Sequence, residues 1–205
     1  NVSNQVIKTE LKSLFSPGKI GNVKIKNRII RSATTENMAT KDGQVSDDLI
    51  KVYTELAQGG TGLIITGGFA VHPSSTLRRY SCCLYDDVFL PGQKKLVEAV
   101  HDYSECKIAA QLVHTGRQTG NKKYEPVAPS PIPDKIFNRV PRELKTEEIR
   151  DVIKMFVNAG RRACEVGYDA VQLHAAHGFL LCNFVSPYSN KRTDEYGGDT
   201  QRRTK

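Results

Sequence analysis

"TGLIITGGFAV", Thr61 to Val71, is an unbroken apolar run carrying a glycine pair. A strand with one wet face would alternate apolar and polar residues. A continuous run is what a strand buried on both faces of a parallel sheet requires. The strand closes on Gly67 and Gly68, where no side chain stops backbone from approaching a flat ligand, though an ordinary turn would use glycine as well.

Upstream, "DDLIKVYTELAQGG" places Leu49, Val52, Tyr53, Leu56 and Ala57 on one 3.6-period stripe. That predicts a helix with Ser46 as N-cap and Gly59-Gly60 as its stop. Before it, "RIIRSAT" (Arg28 to Thr34) reads as a strand entering the loop "TENMATKDGQ", and "KIGNVKIKNR" as a hairpin turning at Gly21-Asn22. Residues 1–12 are a polar lead-in.

Downstream, "LPGQKKLVEAVHDYS" predicts a second helix and "KIAAQLVHTG" a third strand. A Pro-rich loop runs from Pro126 to Pro141, followed by a long helix, "TEEIRDVIKMFVNAGRRACEVG", with Thr146 as N-cap. "YDAVQLHAAHG" is a fourth strand running into a long loop, and "DTQRRTK" begins another helix. Cys164 is expected to pack within the long helix as a small apolar residue.

Strand and helix alternate through most of the chain, which argues for right-handed βαβ units and a parallel sheet. Polar and glycine residues gather at the strands' C-terminal ends, as in a (β/α) barrel with its site on that face. A doubly wound sheet usually carries GxGxxG after its first strand, and "RIIRSATTENMA" has no glycine. Four units are half of an eight-stranded barrel. The expectation is therefore that residues 13–205 form the N-terminal half, completed by further chain or from elsewhere.

Bulk properties narrow the function classes. The chain has 205 residues, 39% hydrophobic, with a net charge of +8 whose Lys and Arg are scattered and not interleaved with aromatics. That points away from nucleic acid and toward a solvated basic surface. No apolar run approaches the roughly 18 residues of a membrane span, and the N-terminus lacks a signal peptide's apolar segment. Five cysteines without CxxC spacing read as reduced thiols, so a cytoplasmic location is expected.

The strand ends supply the candidate chemistry: Ser32, Ala33, Thr34 and Thr35 from the first, Gly68 from the second, Gln111 and His114 from the third, His174 and His177 from the fourth. Gln172 and His174 share a face at period 2. If Leu173 packs against helices, His174 points into the mouth of the barrel. Two imidazole N–H groups aimed at one point can hold a carbonyl oxygen or an anionic ring edge, and Gln111 can read an amide-like ring edge. No cysteine or carboxylate lies at ligand spacing, so no metal is expected.

"HAAHGFLLCNFVSPYSNKRTDEYGG" resembles the central signature of the Old Yellow Enzyme family of flavin-dependent ene-reductases and NADH:flavin oxidoreductases. "LFSPGKIGNVKIKNRIIRSAT", "GLIITGGFAV" and "QLVHTGR" resemble its first three strand regions, in order, from about Leu14 to Arg203. The HxxH form is similar to the bacterial, enoate-reductase-like branch. The resemblance implies a TIM (β/α)8 barrel binding FMN, with NADH or NADPH as reductant and an α,β-unsaturated carbonyl as substrate. It implies that Ser32, Ala33, Thr34 and Thr35 line the flavin, with Gly68 against the ring, Gln111 on its pyrimidine edge and His174 beside it. His174 and His177 would bind the substrate oxygen.

Two positions depart from the pattern. Phe179 stands where the family places a proton-donating tyrosine, and Asn37 where bacterial relatives have a substrate-contacting tyrosine. Phe179 admits a flavin-dependent NADH oxidase or amine dehydrogenase as alternatives, and an inactive truncated half barrel is a third. The resemblance puts the phosphate-binding loops, and any iron–sulfur cysteines, beyond Lys205. A homo-oligomer is compatible with all of these.

Overall fold

The computed structural model describes residues 13–76, 80–103 and 105–205. The polar lead-in, 1–12, lies outside the described residues.

The chain opens with the expected hairpin. Strands β1 (Gly18–Ile20) and β2 (Val23–Ile25) pair antiparallel across a turn where Gly21 has φ 57°. Strand β3 (Ile30–Arg31) is shorter than the seven-residue reading. Helix α1 (Asp47–Gln58) begins where Ser46 Oγ accepts the Leu49 N–H at 3.1 Å and ends at Gly59, with Gly60 at φ 91°. Strand β4 (Leu63–Ala70), helix α2 (Leu90–His101) and strand β5 (Lys107–Val113) follow in the expected order.

The segment read as a Pro-rich loop carries a short parallel pair at its ends, β6 (Val127–Ala128) with β7 (Arg142–Glu143). Helix α3 (Thr146–Glu165) is capped differently from the sequence reading: Lys145, not Thr146, is the N-cap. The Glu148 carboxylate reaches back to the Lys145 N–H at 2.7 Å, while Thr146 Oγ1 donates to Asp194 at 3.1 Å. Cys164 on this helix is exposed, so it does not pack as a core residue. Strand β8 (Ala170–Leu173) is shorter than expected, and the loop after it contains helix α4 (Leu180–Val185). The final turn is helix α5 (Thr200–Arg203), capped by Asp199.

The main sheet has the order β3-β4-β5-β8, all parallel. Each unit adds its strand at the same edge. A doubly wound sheet would reverse direction at a switch point, so this order is the barrel's.

The two faces of the sheet differ. Ile64, Phe69, Ile108, Ala110 and Leu112 pack outward against Leu49, Tyr53, Leu96, Val100, Ala159 and Ala163 of the helices. On the inner face Leu63, Ala109 and Ala170 meet Ile25 from the hairpin, which fills the end where the strands begin. The outer face of β8 is partly exposed: Leu173 points to the helix side but is 56% exposed, and Val171 is exposed as well. No helix of the described residues is long and apolar enough to cross a membrane.

Candidate flavin-binding face

Strand pairing sets the site. Gly68 lies opposite Gln111, and Gln111 opposite Gln172. All three sit one layer above the Leu63, Ala109 and Ala170 layer on the inner face, because side chains alternate along each strand. Gln111 Nε2 donates to Gln172 Oε1 at 2.7 Å, which leaves a carboxamide oxygen and a carboxamide N–H facing the mouth. A side chain at Gly68 would project into this layer: its Cβ would stand 2.9 Å from Val113 Cγ1 and 3.4 Å from Gln111 Oε1. The fourth strand continues in register through His174, whose N–H donates to Leu112 O at 2.9 Å, so His174 follows Gln172 on the same face.

His174, His177 and Phe179 form one aromatic cluster at this rim. The His174 ring lies 5.1 Å from His177 and 4.7 Å from Phe179 between centroids. His177 has a left-handed backbone (φ 57°), and its carbonyl accepts from Gln118 Nε2 at 2.9 Å. Burial, reinforced by the neighbouring His177, holds the His174 imidazole below its ordinary titration range. It is therefore neutral at pH 7. Its Nδ1 accepts the Ala176 N–H at 3.4 Å, which leaves the proton on Nε2 as a donor.

The first-strand residues lie beside Gly67, where an added Cβ would stand 2.6 Å from Thr34 O. Ser32, Thr34 and Thr35 are exposed and Ala33 is half-buried. Thr35 and Asn37 share a small cleft with Gly67, Gly68 and Tyr80. Asn37 has φ 56°, and its Oδ1 is buried without a hydrogen-bond partner among the described residues.

His114 does not belong to this group. It lies one residue past Val113, on the opposite face from Gln111, and is 2% exposed. Its Nδ1 accepts the Gly116 N–H at 3.1 Å, and its ring lies parallel to His72 at 6.5 Å. Burial, with His72 second, pushes its pKa down to about 3. Among the described residues no group of three or more His, Cys, Asp or Glu is placed to hold a metal ion.

The sequence profile of the NADH:flavin oxidoreductase / NADH oxidase family matches residues 13–205. The chain belongs to that family. It is 43% identical over 199 residues to a Thermoanaerobacter brockii protein named NADH oxidase, covering 95% of this chain and 30% of that one. It is 39% identical over 196 residues to a Listeria innocua NADPH dehydrogenase, covering 95% and 57%. Among solved structures, a 2-naphthoyl-CoA reductase bound to 2-naphthoyl-CoA superposes with a TM-score of 0.89 at 32% identity, over 94% of this chain and 31% of that one. Old Yellow Enzyme from Pichia sp. AKU4542 superposes at 0.85 with 31% identity, over 94% and 53%. The chain thus spans between about a third and somewhat over half of these relatives, and its sheet is the first four strands of their barrel.

Sequence reasoning missed three residues that shape this face. Gln172 was placed on the inner face but given no role. Glu36 and Tyr53 were read as a loop residue and a helix-stripe residue. Their contacts span 17 residues between a loop and a helix, which no local periodicity reports.

Proposed function

We propose that the chain contributes the isoalloxazine-facing half of an FMN-dependent NAD(P)H oxidoreductase of the ene-reductase kind. The observation that carries this is the layer Gly68, Gln111, Gln172 and His174, contributed by three adjacent strands to one face, with Gly68 bare where a side chain would intrude. That layer fits a flat, hydrogen-bonding ring. Gln111 and Gln172 offer an acceptor beside a donor, as a pyrimidine edge needs, and the Ser32–Thr35 segment with the Thr35 hydroxyl adjoins Gly67 and Gly68. Residues 13–205 would act as one half-barrel unit.

FMN held at this face would supply the hydride chemistry between a nicotinamide reductant and an acceptor. The protein's part is to orient and polarise. His174 Nε2–H and the His177 imidazole grip a carbonyl oxygen and favour the negative charge that grows on it, and one such preorganised donor contributes about 3–4 kcal/mol to the barrier. His174 can hold this role near neutral pH because its site disfavours the cation. The 2-naphthoyl-CoA bound by one structural relative is a conjugated thioester, which supports an α,β-unsaturated carbonyl as substrate class. Five free cysteines, three of them buried, support a reducing, cytoplasmic setting.

Phe179 favours a second reading. A phenyl ring holds no transferable proton, so alkene reduction here would draw its proton from water or another group. Oxidation of NADH with oxygen or a quinone as acceptor needs no such donor, and the 43%-identical relative is named NADH oxidase. The test is anaerobic reduction of the FMN-loaded protein by NADH and by NADPH, followed by cyclohexenone, an enoyl thioester or oxygen. Bleaching reversed by an enone or thioester supports the first reading, and reversal by oxygen alone the second. Flavin that neither nicotinamide reduces contradicts both.

A further inference from the structure

Strand β4 carries a bulge at the point where it meets the site. Ile65 pairs with Ala109 and Gly68 with Gln111, so Thr66 and Gly67 stand opposite the single residue Ala110. Such a bulge bends the strand and leaves backbone groups outside the ladder. Here side chains satisfy them. Thr66 Oγ1 accepts the Gln111 N–H at 3.1 Å and donates to Gly67 O at 3.0 Å. The Gly67 N–H donates to the Tyr53 hydroxyl at 3.0 Å.

A phenol presents a lone pair in a chosen direction only when its proton is committed elsewhere. Tyr53 donates to Glu36 Oε1 at 3.1 Å, and an ionised carboxylate can only accept. The charge on Glu36 is balanced by Arg31 Nη2 at 2.6 Å. Tyr53 is fully buried, and burial followed by Glu36 pushes its pKa far up, so the hydroxyl keeps its proton. Glu36 Oε2 and Thr34 O also occupy the space beside Gly67: a Cβ there would stand 2.7 and 2.6 Å from them. One hydroxyl therefore ties the loop bearing Thr35 to the bulge that aims Gly68.

We propose that Tyr53 and Glu36 are a positioning pair, setting the placement and tilt of the two adjoining backbone segments, Ser32–Thr35 and Gly67–Gly68, against which the flavin ring lies. The pair touches no reacting atom. The proposal rests on the flavin reading above.

Tyr53→Phe tests it, since it keeps the ring and removes only the acceptor for Gly67 N–H. Loss of a buried hydrogen bond of this kind should raise the FMN dissociation constant about tenfold. It should also shift the visible absorption band of the bound flavin, because the ring's surroundings move. Glu36→Gln retains an oxygen acceptor for Tyr53 and should show only part of both effects, binding FMN between the parent and Tyr53→Phe. A purely structural role would lower the melting temperature and leave the band in place. Tyr53→Phe that binds FMN within about twofold of the parent, with an unshifted band, overturns the proposal. If Tyr53→Phe does not fold, Glu36→Gln carries the test: weaker binding with a shifted band supports the pair, and unchanged binding and band overturn it. A parent protein that takes up no FMN overturns the flavin reading and this proposal together, whereas a parent that binds while Tyr53→Phe binds equally overturns the proposal alone.

Discussion

Phe179 packs 4.7 Å from His174, close enough for a phenolic oxygen in its place to reach the rim that the two histidines define. Phe179→Tyr should therefore raise the rate of enone reduction by about the 10²-fold that a positioned general acid supplies. Stopped-flow reoxidation of reduced flavin by cyclohexenone measures it, and equal rates for the two proteins would remove Phe179 from the account. His174→Ala should cost about a hundredfold in the same step, with nicotinamide oxidation less affected. His114 has a different consequence. Its imidazole titrates near 6.5 when unfolded and is held down to about 3 in the fold. Its contribution to stability is complete above pH 6.5 and falls by about 1.4 kcal/mol per pH unit below that, levelling near 3. Urea titrations at pH 7 and 5 should show the loss, and His114→Asn should show a smaller one; parallel losses would assign it to other groups. Among single residues, the inward placement of His174 and Gln111 was legible because each interrupts an apolar run at a strand end. Glu36 was not, because its partners Arg31, Tyr53 and Gly67 come from three separate segments.

Elements were legible where local chemistry decides them. Ser46 caps α1 as its position before an apolar stripe implies. Thr146 failed as a cap for one local and one tertiary reason: Glu148, three residues on, reaches back to Lys145, and Asp194, 48 residues on, takes the threonine hydroxyl. Helix α4 was hidden because six residues are too few for periodicity to register. The bulge in β4 was likewise invisible, since a two-against-one pairing is a property of two strands. Entry into β8 depends on Asp169, whose carboxylate accepts from His101 Nε2 at 2.8 Å and the Ile108 N–H at 2.9 Å and pairs with Lys107 at 2.9 Å. Those contacts outweigh burial and hold its pKa below the usual value. Asp169→Ala should lower stability by about 2–3 kcal/mol at pH 7, read from urea denaturation. A change under about 0.5 kcal/mol would show that β8 is held by its apolar face alone.

At the scale of the whole molecule, alternation of strand and helix was enough to identify a parallel sheet, and the unreversed order β3-β4-β5-β8 makes it a barrel segment. What alternation could not tell is which outward residues find cover: Leu173 carries the right residue type and stays exposed. The central claim is spatial, that three strand ends and one loop meet around a flat ring. Titration of the protein with FMN, followed by quenching of flavin fluorescence, tests it when parent and Gly68→Val are compared. The account predicts that the parent saturates at one FMN per chain. It predicts that Gly68→Val, whose branched side chain must enter a space where even a Cβ stands 2.9 Å from Val113, binds at least about a hundredfold more weakly while remaining folded. Equal FMN affinity for the two proteins would place the ring elsewhere and contradict the account.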